Sequence, residues 1–141
     1  MRLISHRGNT KGRNEPAENS PDYVKNTIKK GFDVEIDVWL EDRLYLGHDK
    51  PEYKCSMNFL VMNASKLWIH CENLEALEAL NGIKRLNIFW HQKDDHTLTS
   101  KGYIWTYPNK KVCEKSVIVV KNALSYDGTK CHGLCSDIIE E

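Results

Sequence analysis

Three observations on this 141-residue chain predict an α/β fold with a parallel sheet. Short apolar runs recur along it, most of them too short for helices and several rich in Val, Ile, Trp and Tyr, which is the pattern of strands. Well-marked helices separate the first of these runs, and strand–helix alternation argues for parallel strands joined by right-handed crossovers. Past Trp90 the helical signal fades. A complete eight-fold α/β barrel takes about 250 residues. This chain therefore reaches that architecture only as a reduced or incomplete (β/α) barrel with few outer helices in its second half.

The elements follow in order. The first strand covers residues 2–5. Ser20 is then a natural N-cap, Pro21 suits the first helical position, and Gly31 can take the left-handed conformation that ends a helix. Tyr23, Val24, Thr27 and Ile28 fall on one face of that helix. A strand at 32–40 and a hairpin partner at 44–46 come next, then a short helix at 57–62 and a strand at 67–71. Asn73 caps and Gly82 stops a further helix, whose apolar stripe is Leu74, Ala76, Leu77 and Leu80, with Glu75 and Glu78 toward solvent. Strands at 86–90, 103–107, 117–120 and 134–135 complete the chain, with polar loops at 91–101 and 108–116. No repeat or linker divides it, so residues 1–141 are expected to form one domain.

Apolar residues make up 40% and charged residues 28%, the balance of a folded soluble protein. Lys+Arg and Asp+Glu number 20 each, which removes the electrostatic case for nucleic acid or an anionic membrane as main partner. Lys25, Lys29 and Lys30 make a local basic cluster of the kind that water-exposed helix faces commonly carry. No stretch reads as a signal peptide or a bilayer span, so a cytoplasmic location is expected. The five cysteines are odd in number and scattered, which suits reduced thiols. Cys131-His132 with Cys135 is half a zinc site without a partner pair.

Glu35 and Asp37 lie two apart in a strand and therefore share a face, while Val34, Ile36 and Val38 share the other. Two carboxylates on an inward face need their charge compensated, and a divalent cation does so most simply. Oxygen ligands favour Mg²⁺ or Ca²⁺. A strand with one solvated polar face would carry the same pattern. His6 ends the first apolar run and Gly8 opens a loop, with Arg7 between them as a planar phosphate donor. His48 repeats the arrangement after Leu44-Tyr45-Leu46-Gly47. Histidines at strand ends can move protons near neutral pH.

The ordered set His6-Arg7-Gly8, Glu18-Asn19-Ser20, Glu35-Ile36-Asp37 and Gly47-His48-Asp49 resembles the glycerophosphodiester phosphodiesterase family, of the phospholipase C-like phosphodiesterase superfamily of α/β barrels. The resemblance is strong over the first third of the chain. Weaker echoes are Trp105-Thr106 in a late strand and Ser136-Asp137 at the end of the closing one, where the family usually reads Thr-Asp.

The resemblance implies a metal-dependent phosphodiester hydrolase acting on a small glycerophosphodiester-like molecule. His6 and His48 would be its catalytic pair, Arg7 would contact phosphate, and Glu35 and Asp37 would hold the metal. Glu18 and Asn19 would support them from behind. The family's next strand usually supplies a metal-binding glutamate and a phosphate-holding lysine in a Glu-x-Lys step. Here His70 stands for the glutamate and Glu72 for the lysine, so His70 or Glu72 would complete the metal set. His91 ends the following strand, and His96 and His132 carry no assignment. A lyase that stops at a cyclic phosphate, and a barrel that binds a phosphate ester without turnover, are the competing readings. Missing outer helices also lead us to expect self-association.

Overall fold

The computed structural model describes residues 1–141 and shows an α/β protein. Ten strands form one mixed sheet that curls into a half-barrel carrying few helices. In chain order these are β1 (Arg2–His6), α1 (Pro21–Lys29), β2 (Asp33–Leu40), β3 (Leu44–Leu46), β4 (Tyr53–Lys54), α2 (Met57–Met62), β5 (Leu67–Cys71), α3 (Leu74–Asn81), β6 (Ile88–Phe89), β7 (His96–Leu98), β8 (Ile104–Thr106), β9 (Ser116–Val119) and β10 (Gly133–Ser136). Short 3-10 turns lie at Ala64–Lys66 and Ala123–Ser125.

Strands β6, β5, β2, β1, β10, β9 and β8 run parallel in that spatial order. At its margins the sheet turns antiparallel, with the hairpin expected at 44–46 formed and the loop expected at 91–101 corrected. Strands β3 and β4 extend from the far end of β2 as an antiparallel hairpin, and β7 pairs antiparallel with β8 inside the stretch expected to be loop. Across the open side, the backbone N–H of Ser100 donates to the Ile88 carbonyl at 2.8 Å.

The alternation of β2 is realised as expected. Val34, Ile36 and Val38 are fully buried in the outer core, under Val24, Leu60, Ala76 and Leu80 from the three helices. The inward layer consists of Ile4, Trp68, Phe89, Trp105, Val117 and Cys135, which plug the middle of the curl. Trp68 and Trp105 thus fill the interior, whereas Trp39 and Trp90 are half-buried. A third cluster around Ile118, Leu134 and Ile139 backs the helix-poor half.

Ser20 accepts a hydrogen bond from the Tyr23 amide and Asn73 one from Ala76, so both caps form as read. Gly31 has φ +97°, the left-handed value that ends α1. Leu74 departs from the expected stripe: it is exposed, and α3 packs through Ala76 and Leu80. The Cys131-His132-Cys135 segment forms no metal-ligand group, and all five cysteines are free.

Candidate active site

The register of four parallel strands assembles the site at their C-terminal ends. Ser5 pairs with Ser136, His6 with Glu35, and Asp37 with His70. Asp137, His6, Glu35, Asp37 and His70 therefore line one rim, each at an inward position of its own strand or just past its end. The chain leaves β1 through Arg7 in the left-handed region at φ +61°, which a non-glycine residue adopts only under local constraint. Three backbone bonds supply it: Arg7 N–H to the Glu35 carbonyl, Asn19 N–H to the Arg7 carbonyl, and Asn9 N–H to the His6 carbonyl. Gly8 follows at φ +99°, and a Cβ there would lie 2.5 Å from the Tyr23 ring.

His6 donates from Nδ1 to Asp137 Oδ1 at 2.9 Å, and Asn9 donates to the same oxygen at 2.8 Å. Burial pushes the Asp137 carboxyl up, but these two donors outweigh it and hold it below the usual range. An ionised Asp137 accepts only, so the other ring nitrogen of a neutral His6, Nε2, carries the lone pair. It faces Glu35 Oε1 at 3.9 Å.

The second histidine has the opposite tautomer. Arg7 Nη2 donates to His48 Nδ1 at 2.6 Å, and a guanidinium can only donate. His48 therefore carries its proton on Nε2, which lies 3.5 Å from the exposed Asp49. The remaining Arg7 contacts are Nη1 to Glu18 at 3.1 Å and Nε beside Asp37 at 3.2 Å. Asn19 in turn donates to Asp37 Oδ2 at 2.9 Å and accepts from the Asp37 amide at 3.0 Å. Glu18 and Asn19 thus stand behind Arg7 and Asp37.

Glu35, Asp37 and His70 offer one ligand atom each within 4.8 Å of one another, and Asp37, His48 and Glu72 do the same. The first group could hold a metal ion. Three features fit one. Glu35 Oε1 and Glu72 Oε1 are buried without a hydrogen-bond partner. Burial, and after it the Asp37 charge, pushes Glu35 well above the usual carboxylate range. Burial and then Asp37 push Glu72 up to about 9. Burial also raises Asp37, but hydrogen bonds from His70 and Glu72 and the Arg7 charge reverse the sign and leave it well below the usual range. Finally, His70 Nε2 lies 2.9 Å from the His91 carbonyl oxygen, which only accepts. His70 Nδ1 in turn lies 3.1 Å from both Asp37 and Glu72 and 3.9 Å from Glu35, where a proton or a metal ion on that nitrogen meets the carboxylates. A backbone carbonyl behind a histidine is a common support for a metal ligand.

The rim opens into a cavity of about 300 Å³ whose apolar side includes Phe89, Trp105, Tyr107 and Val119. His91 also lines it, with Nδ1 buried and unpartnered. Arg7 and His48 divide it from a polar cavity of about 360 Å³ walled by Arg13, Glu15 and Glu52.

The structure brings together every sequence-predicted site residue: His6, Arg7, Glu35, Asp37, His48, His70 and Glu72. Sequence reasoning gave no role to Asn9, Asp137 or the His91 carbonyl. Asp137 carried a signal in the Ser136-Asp137 echo, whereas Asn9 and a main-chain oxygen carried none. No helix is long and apolar enough to cross a membrane. No family model, curated protein or solved structure matches the chain.

Proposed function

We propose that the protein is a divalent-metal-dependent phosphodiester hydrolase acting on a small glycerophosphodiester-like substrate. The observation that carries this reading is the pair of histidines with opposite tautomers beside one carboxylate–imidazole group. His6 presents a lone pair backed by Asp137, and His48 presents an N–H backed by Arg7.

The chemistry follows from these atoms. His6 Nε2 takes the proton of a substrate hydroxyl as its oxygen bonds to phosphorus. The bond to the leaving oxygen breaks while His48 Nε2–H donates a hydrogen bond to that oxygen, which takes its proton from solvent water. The product is a cyclic phosphate, with His6 cationic and His48 unchanged. Water then opens the ring: the departing ring oxygen takes the proton back from His6, and the proton of the attacking water goes to solvent, which restores the starting state. Glu35, Asp37 and His70, with Glu72 beside them, would hold the cation. When bound it neutralises phosphate oxygens as their charge builds. Arg7 acts first by fixing His48, and its N–H groups not engaged by protein are left for phosphate. The cleft on either side of Arg7 and His48 suits a diester with one apolar and one polar substituent.

An imidazole among the ligands shifts the expected metal from Mg²⁺ or Ca²⁺ toward Mn²⁺ or Zn²⁺. The binding-only reading draws on Glu72, an acid where a phosphate-holding cation would help. Turnover of an aryl phosphodiester with Mn²⁺ tests the proposal. It should fall by at least about 100-fold in His6→Ala and in His48→Ala. Equal rates in the variants, or tight phosphate-ester binding without turnover, would sink it. Phosphorus NMR separates hydrolysis from a lyase that stops at the cyclic product.

A further inference from the structure

The half-barrel has a second mouth, at the N-terminal ends of its strands, and its chemistry differs from that of the first. A cavity of about 430 Å³ opens there, within the range of small-molecule sites. The inward aromatic layer separates it from the catalytic rim, with Trp68 as its floor and His70 two residues farther along the same strand.

Two buried acceptors without hydrogen-bond partners line this cavity. Asn87 is 7% exposed and its side-chain oxygen has no partner. Asp33 is 3% exposed; Trp68 donates to its Oδ2 at 2.9 Å, while Oδ1 makes no hydrogen bond and has only the Lys66 ammonium nearby, at 3.8 Å. Buried oxygens of this kind cost free energy unless a donor reaches them. Arg2 and Arg85 stand at the rim, Arg2 3.5 Å from Asp33 and Arg85 exposed. Tyr103 completes an aromatic wall with its ring centroid 5.1 Å from that of Trp68.

We propose that this mouth binds a nucleoside monophosphate. The amino and ring N–H groups of a base satisfy Asp33 Oδ1 and Asn87 Oδ1. Tyr103, with the buried Trp68 behind it, offers the base an apolar, π-rich surface. Arg2 and Arg85 take the phosphate, for which a planar guanidinium is the better-matched cation. Neither bare phosphate nor an uncharged aromatic molecule satisfies all three features. The site is independent of the metal group and of the reaction proposed for the other mouth.

Isothermal titration calorimetry of the intact protein in EDTA, with GMP, AMP and CMP as probes, tests this. At least one should bind with Kd below about 100 µM, and inorganic phosphate and the free nucleoside should each bind at least about tenfold more weakly. Arg85→Glu alters an exposed rim residue that the fold does not need, and should weaken the nucleotide by at least about tenfold. Asn87→Ala should do the same while leaving the thermal transition in place. Asp37→Asn at the opposite mouth should leave Kd unchanged. The proposal is overturned if none of the nucleotides binds at millimolar concentration, if phosphate binds as tightly as the nucleotide, or if Asp37→Asn weakens binding while Arg85→Glu does not.

Discussion

Arg7 and His48, from two different strand ends, are joined by a 2.6 Å hydrogen bond that sets which nitrogen of His48 carries the proton. The same guanidinium neutralises buried Glu18 and Asp37. Replacing it therefore has separable consequences. Arg7→Met leaves two buried carboxylates unpaired, at a cost of about 3–5 kcal/mol in chemical denaturation. Divalent cation should restore part of that loss by taking up the Asp37 charge. Turnover should remain at least about 100-fold down even in the metal-stabilised variant, because His48 has lost its orienting donor. Full activity once stability is restored would show that Arg7 is structural only.

The acids at the rim give the metal-free protein an unusual pH dependence. Glu72 is raised from 4.5 to about 9, and Glu35 is raised as well. A carboxyl with a raised folded pKa keeps its proton longer in the folded state than in the unfolded chain. Its stabilising contribution is complete below 4.5 and is lost as pH rises through about 9. Asp37 has the opposite sign and costs stability only as pH falls below its ordinary 3.8. In EDTA the thermal midpoint should therefore fall steadily between about pH 5 and pH 9. Divalent cation should abolish that slope and release protons on binding. A metal-free midpoint that rises across this interval would contradict the assignment.

The first half of the fold was legible because its signals are local. Ser20 and Asn73 are caps with hydrogen bonds three residues away, and the alternation of β2 states which face is core. The antiparallel β7 was not legible: His96, Thr97 and Leu98 show no usable period, and their pairing depends on residues 104–106 supplied by tertiary contact. The site divides in the same way. Strand-end histidines and alternating carboxylates are visible in order and spacing. The tautomers are not, since His6 is set by Asp137 from the far end of the chain and His70 by a main-chain oxygen of His91.

Helix α3 offers a direct test of which apolar residues carry the core. The apolar stripe read from the sequence includes Leu74 and Leu80 alike, but the structure leaves Leu74 66% exposed and buries Leu80 completely. Leu80→Ala opens a cavity in the outer core and should cost about 2–5 kcal/mol. Leu74→Ala should stay within about 0.5 kcal/mol of the parent. Urea denaturation of both variants decides the matter, and equal losses would mean that α3 sits in a different rotation.

Carboxylates alone would favour Mg²⁺ or Ca²⁺, but His70 directs Nδ1 into the group and has its other nitrogen held by the His91 carbonyl. A nitrogen ligand strengthens Mn²⁺ and Zn²⁺ relative to Mg²⁺. Calorimetry should thus rank Mn²⁺ and Zn²⁺ at least about tenfold tighter than Mg²⁺ in the parent. His70→Glu restores an all-oxygen set and should shrink that ratio, raising Mg²⁺ affinity relative to the others. His70→Gln, which keeps a polar group without an imidazole, should weaken Mn²⁺ by about 10–100-fold. The two variants separate a ligand from a spectator. If His70 only packs against Phe89, with its ring centroid 5.2 Å away, neither change will alter the order of the metals.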